Sequence, residues 1–451
     1  MKNSIVILML PILLLGSCNQ SPREEVAGEA NPLAWADDAV MYEVNVRQYT
    51  PEGTFNAFAD HLPRLKELDV EILWFMPIHP IGVENRKGAL GSYYSIKDYK
   101  AVNPEFGTFE DFKSLVRKAH KMGFKVLIDC VANHSAWDNA WMENEDWYTQ
   151  DSLGNVIPPV PDWSDVADLN YDNPDMRTAM LDALKFWVAE ADIDGYRCDY
   201  AGGVPTGFWE EARAELDKIK PVFMLAEDQD QLGLLENAFH CNYGWTFHHY
   251  MNEIYSGEKP VSVISEYFAQ VDSTYPEGTY PLQFTSNHDE NSWNGTVYER
   301  LGDAVKTFAV LSFTVPGMPL IYSGQETGLN KRLEFFEKDE IEWGRDPSMG
   351  ELYSELIQLK KDNRALWNGQ AGGWIDFLET SEPDNMIAFV RENEDNKILV
   401  LMNLSAGPVA GDVETGENEI YKEIFTQEER SLGGTVGFKM APWEYLIFVK
   451  N

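Results

Sequence analysis

Lys125-Val126-Leu127-Ile128-Asp129-Cys130-Val131-Ala132-Asn133-His134 is an apolar run without clean alternation that closes in polar residues, and Gly195-Tyr196-Arg197-Cys198-Asp199 repeats the design further on. A strand that is apolar at successive positions has both faces covered, as a parallel strand does. Similar runs lie at 40–46, 71–76, 222–226, 238–243, 282–285 and 320–322. Together they make eight strand-like segments.

Helical patterns with identifiable starts fill the gaps. Thr54 can cap a helix carrying Phe55, Phe58, Leu62, Leu65 and Leu68 on one face, although Pro63 conflicts with it. Thr108 and Asp111 approximate a capping box ahead of Phe109, Phe112, Leu115, Val116 and Ala119. Asn173-Pro174 sets a cap and an N1 proline before Met176, Met180, Leu181 and Leu184. Eight strand–helix units closing on themselves predict a (β/α)8 TIM barrel, assigned to residues 35–370.

Two segments depart from the alternation. Residues 135–167, rich in Trp, Asp and Pro, follow the third strand, and an insert of that length is usually functional. From 371 to 451 the pattern becomes period two, at 386–391, 398–404 and 445–449, with turn residues between, which predicts a C-terminal antiparallel β-sandwich. Trp74 reads as barrel core and His248-His249 as part of a loop.

The chain of 451 residues is 44% hydrophobic, with a formal net charge of −38. So acidic a surface lacks the Lys and Arg clusters that nucleic acid demands, and a neutral substrate is expected. Residues 1–18 read as a lipoprotein signal peptide: Lys2, an apolar run too short to span a bilayer, then Leu15-Gly16-Ser17-Cys18, which resembles a bacterial lipobox. Cys18 is the expected lipidation site and residues 19–34 a tether. Export as a lipoprotein of a Gram-negative outer membrane, on its periplasmic or surface face, follows from that reading, with the membrane touched through the anchor alone. Cys130, Cys198 and Cys241 read as buried small hydrophobes rather than a disulfide framework.

The carboxyl ends of barrel strands are where active sites form. Here they carry Asp129, Asn133 and His134, then Arg197 and Asp199, then Glu227, then Asn287-His288-Asp289. Any one such Asp is commonly a helix cap; convergence of several carboxylates with an Arg on one rim is not explained that way. Arg197 and Asp199, two apart, point to the same side of a strand, and the guanidinium favours an ionised Asp199, as a nucleophile must be. Glu227 follows an apolar run and can be desolvated, which suits a general acid. Asp289 adds a third carboxylate.

These segments resemble the conserved regions of the α-amylase superfamily, glycoside hydrolase family 13. So do Val40-Met41-Tyr42-Glu43 and Gly317-Met318-Pro319-Leu320-Ile321-Tyr322-Ser323-Gly324-Gln325-Glu326. The resemblance implies Asp199 as nucleophile, Glu227 as acid/base and Asp289 as transition-state stabiliser. Arg197, His134 and His288 would hold the sugar next to the cut bond, and Tyr94 would be its stacking platform. It also implies Ca²⁺ at Asn133 and Asp168, with no organic cofactor. Gly202 and Gly203 stand where many members carry a Lys-His pair, and Ser92 where a His often precedes the platform tyrosine.

The function expected is retaining hydrolysis of α-1,4-glucosidic bonds in starch-like glucans or maltooligosaccharides. A debranching or transglycosylating relative is the alternative on the same fold. A non-catalytic glucan-binding protein is a third reading, but such a protein has no need to keep Arg197, Asp199, Glu227 and Asp289 together.

Overall fold

The computed structural model describes residues 31–394 and 396–450. The signal peptide, Cys18 and most of the tether lie outside the described residues.

Eight parallel strands close a barrel: β1 Met41–Val44, β2 Ile72–Phe75, β3 Lys125–Cys130, β4 Gly195–Cys198, β5 Phe223–Ala226, β6 Cys241–Tyr243, β7 Tyr280–Gln283 and β8 Met318–Tyr322. Strand β1 pairs with both β2 and β8, which completes the ring. Successive residues of each strand feed two different cores. Leu127, Phe223, Leu225, Leu282 and Met318 pack inside the barrel with Trp74, while Val126, Ile128, Tyr196, Cys198, Met224 and Ala226 pack outward against the helices. That double burial is why the strands show no polar face. It also fixes the site, because outward Tyr196 and Cys198 turn Arg197 inward, and inward Leu127 carries Asp129 with it. Gly195 lets β4 and β5 approach: a Cβ there would lie 1.9 Å from the Phe223 carbonyl oxygen.

Strands β7 and β8 begin before the apolar runs, each taking in a proline, Pro281 or Pro319, next to its first residue, where a missing N–H disturbs the ladder least. The single helix expected after Thr54 is two, Phe55–Ala59 and Leu62–Leu68. Pro63 sits in the first turn of the second, the only place a helix accepts it without losing a hydrogen bond. The Thr108–Asp111 capping box forms in full, and the Asn173 side chain accepts from the N–H groups of Asp175 and Met176. His248-His249 lies in the helix Trp245–Ser256, not a loop.

The insert is pinned by a two-stranded ribbon, His134–Ala136 against Val166–Asp168. The C-terminal domain is a six-stranded antiparallel sheet faced by the ribbon of Val409–Glu414 and Thr435–Met440. Its strand Met386–Glu392 is buried almost throughout: Ile387 and Phe389 join the barrel's outer core, and Met386, Ala388 and Val390 the sandwich core. Cys130, Cys198 and Cys241 are free and buried, as expected.

Candidate active site

Arg197 is the hub. Its side chain is fully buried, and Nη1 donates to both oxygens of Asp129, at 2.9 and 3.1 Å, and to Asp199 Oδ1 at 2.9 Å. Nη2 stands 2.8 Å from Glu227 Oε1, off the line of a hydrogen bond, and Nε donates to the Tyr243 hydroxyl at 3.3 Å. The ring of Trp74 lies under the guanidinium, 5.2 Å away. One cation thus faces three carboxylates at the ends of β3, β4 and β5.

Burial decides the charge state. It pushes Asp199 and Glu227 each up to about 7 and Asp129 up to about 6, against the pull of Arg197 in all three cases. Asp199 is therefore not held low by its arginine, as the sequence implied; burial outweighs the guanidinium. Asp199 and Glu227 thus stand at the same raised level, and burial favours the protonated form of each. Arg197 hydrogen-bonds Asp199 and touches Glu227 only obliquely, while Glu227 accepts from the Tyr200 N–H at 2.8 Å.

A second cluster adjoins the first. His288 Nδ1 lies 2.5 Å from Glu43 Oε1, at zero exposure, and Nε2 lies 2.8 Å from the Tyr94 hydroxyl and 3.3 Å from Asp289 Oδ2. Burial pulls His288 down, but Asp289 and Glu43 overcome it and raise it to about 9, making an imidazolium at neutral pH. The Tyr94 hydroxyl also donates to Asp129 Oδ2 at 3.1 Å, which ties both clusters together.

Asp199, Glu227, Asp289, Tyr94 and His134 all line one cleft of about 1040 Å³. Asp289 is the most open of the three candidate catalytic carboxylates, with 37% of its side chain exposed. His134 is buried, which lowers it to about 4 and keeps it neutral, able to donate one hydrogen bond and accept another. Aromatic rings and acids rim the cleft: Trp163 from the insert, Tyr200, Trp245, Trp293, Phe335 and Phe336, with Asp228 and Asp230.

An eight-stranded parallel barrel with this constellation at its carboxyl end has a matching family. The family model for the alpha amylase catalytic domain matches residues 21–153 and 161–367, and that for the maltogenic amylase C-terminal domain matches 375–447. The chain belongs to the alpha-amylase family.

Among relatives of this family, the chain is similar to the maltogenic alpha-amylase AmyB of Thermotoga neapolitana. The two are 30% identical with a TM-score of 0.84, over 92% of this chain and 98% of that one. It is 28% identical to alpha-amylase MalA of Haloarcula japonica, over 83% of its own length but only 56% of MalA's. Against the maltogenic alpha-amylase of Bacillus acidopullulyticus it is 27% identical, over 92% of this chain and 78% of that protein.

Asn133 and Asp168, the expected calcium pair, lie in or beside the insert ribbon, where Leu169 N donates to Asn133 O at 3.1 Å. They offer one amide and one carboxylate oxygen donor. Among the described residues no three His, Cys, Asp or Glu side chains gather into a metal-holding group. Calcium takes six to eight oxygens, backbone carbonyls and water among them; this pair would supply two, and no step below runs through a metal.

Sequence reasoning missed Glu43, Tyr243 and Tyr200 as site residues. Glu43 carried a signal, a lone carboxylate in an apolar strand. Tyr200 carried none beyond its place after Asp199.

Proposed function

We propose that the protein is a retaining glycoside hydrolase cleaving α-1,4-glucosidic bonds in starch-like glucans or maltooligosaccharides by double displacement. The observation that carries this reading is the pair Asp199 and Glu227, set on the two terminal nitrogens of one guanidinium at the floor of an aromatic-rimmed cleft, each carboxyl raised to about 7 by desolvation. Carboxyls gripped by one guanidinium suit the close spacing of a retaining pair, about 5–5.5 Å, better than the wider gap that inversion needs.

Asp199, unprotonated, attacks the anomeric carbon. Glu227 gives its proton to the leaving glycosidic oxygen, which avoids expelling an alkoxide. The bond from carbon to Asp199 then breaks as water attacks, and Glu227 takes the water's proton. Asp289 and the carboxylate-rich floor oppose the positive charge that develops on the sugar ring. The His288 imidazolium and Arg197 donate to sugar hydroxyls or hold the groups that do, and the rim rings offer flat apolar faces to sugars.

Asp199→Asn and Glu227→Gln are each expected to lower kcat on maltoheptaose roughly 10⁴-fold, since both act in the same displacement. Loss below tenfold in either variant, read by reducing-end release, would remove that residue from its role.

The likeness to two maltogenic alpha-amylases favours maltose-releasing action as the product pattern. We place the protein at the cell envelope through a lipid on Cys18. Labelled palmitate incorporated by the wild type and absent from Cys18→Ser tests it, and equal label in both would exclude the anchor.

A further inference from the structure

Tyr200 follows Asp199 directly, and its backbone is left-handed, with φ 42° and ψ 49°. A tyrosine adopts that region only at a cost, and such strain persists where surroundings enforce it. Two things follow from the conformation. The Tyr200 N–H donates to Glu227 Oε2 at 2.8 Å. The side chain is turned out into the cleft, 42% exposed, with its ring edge-on to Trp163 at 5.3 Å.

Gly203 makes the room for that ring. A Cβ at Gly203 would stand 2.5 Å from both Cδ1 and Cε1 of Tyr200 and 2.4 Å from Asn133 Oδ1. At Gly202 a Cβ would lie 2.3 Å from Asp228 Oδ2 and 2.6 Å from Gln231 Nε2. The glycine pair that replaces Lys-His is therefore not a bare loss of a substrate contact. It opens a bay, and an aromatic ring occupies it.

We propose that Tyr200, seated over Gly203 and edge-on to Trp163, is the specificity-determining platform for the sugar on the leaving-group side of the cut bond. By holding that sugar it sets how well a sugar hydroxyl competes with water for the glycosyl-enzyme. The inference rests on the retaining reading above. The side is assigned by Glu227: its proton goes to the leaving oxygen, so the leaving sugar stands beside Glu227, and Tyr200 is the residue bonded to Glu227 whose ring faces the cleft. An acceptor sugar enters the place the leaving sugar vacated. Its hydroxyl oxygen bonds to the anomeric carbon, the bond from that carbon to Asp199 breaks with its electron pair returning to the carboxylate, and the hydroxyl proton passes to Glu227. Water follows the same path in hydrolysis. The ratio of transfer to hydrolysis thus cancels Glu227 and reports acceptor binding alone.

The test uses the mature full-length protein with α-maltosyl fluoride as donor and maltose as acceptor. Fluoride release gives total turnover, and maltotetraose gives transfer. Tyr200→Asn keeps the backbone N–H and tolerates a left-handed backbone while removing the ring; it is expected to lower the transfer-to-hydrolysis ratio roughly tenfold. Tyr200→Phe should hold the ratio within about twofold, since the flat face is kept. Gly203→Ala, which displaces the ring, should lower it. A ratio unchanged in Tyr200→Asn, whatever happens to total turnover, would show that the residue acts only through Glu227 and would overturn the proposal. Wild-type fluoride release with no maltotetraose would also overturn it and leave the retaining reading intact. No fluoride release at all would overturn both.

Discussion

At the residue scale the site is governed by burial acting against a shortage of cations. Arg197 contacts Asp129, Asp199 and Glu227 together, with His288 acting on Asp129 from the adjoining cluster, and burial still raises all three carboxyls. With Asp199 acting unprotonated and Glu227 protonated, kcat/KM should be bell-shaped, falling on the acid side as Asp199 takes a proton and on the alkaline side as Glu227 loses its own. Glu43→Gln tests the adjoining cluster. His288 is raised to about 9 chiefly against burial by Asp289 and Glu43. A group raised in the fold contributes stability that is complete below its ordinary value of about 6.5 and is lost as pH rises through about 9. Without Glu43 that pKa drops, and each unit of drop removes roughly tenfold of the imidazolium at alkaline pH. The variant should therefore lose more activity at pH 8 than at pH 6 relative to wild type; parallel profiles would show that His288 works neutral. The sequence disclosed Asp199, Glu227 and Asp289 because strand ends are legible. It hid Glu43, since the partner of this β1 carboxylate, His288, comes from the segment after β7, two strands round the barrel, and no local pattern records that pairing.

At the element scale, local chemistry that the sequence states outright is found in place. Thr108 with Asp111 and Asn173 with Pro174 cap the helices they precede. What the sequence understated was Pro63, where a continuous apolar face concealed a break, because periodicity survives a two-residue interruption that backbone hydrogen bonding does not. Asn173 also donates to Asp146 Oδ2 at 2.9 Å, joining helix and insert. Asn173→Ala should lower stability by about 1 kcal/mol, the usual worth of such a cap, measured by urea denaturation. An unchanged midpoint would mean that the cap is replaced by water. The insert reaches the cleft through Trp163. Its layout was not legible in the sequence, since Trp137, Trp141 and Trp147 pack against the main core while Trp163 turns to the cleft, and composition cannot sort one tryptophan from another.

Across the whole molecule, barrel and sandwich share a core, and one buried cation stitches the seam. Arg391, 1% exposed, donates to the carbonyls of Thr314 and Val315 in the barrel and of Trp367 and Gly373 in the connection. Burial lowers it to about 9. Arg391→Met would strand four carbonyls and should destabilise by roughly 3 kcal/mol or more. Calorimetry should show one transition in the wild type and a lower or divided one in the variant; an unchanged single transition would mean that the domains are held by apolar contact alone. The central claim is retention at the anomeric carbon through Asp199 and Glu227. Proton NMR of the protein acting on maltoheptaose, with Asp199→Asn alongside, tests it most directly. The account predicts α-anomeric reducing ends that appear before mutarotation and are absent in the variant. β-Anomeric ends appearing first would contradict it.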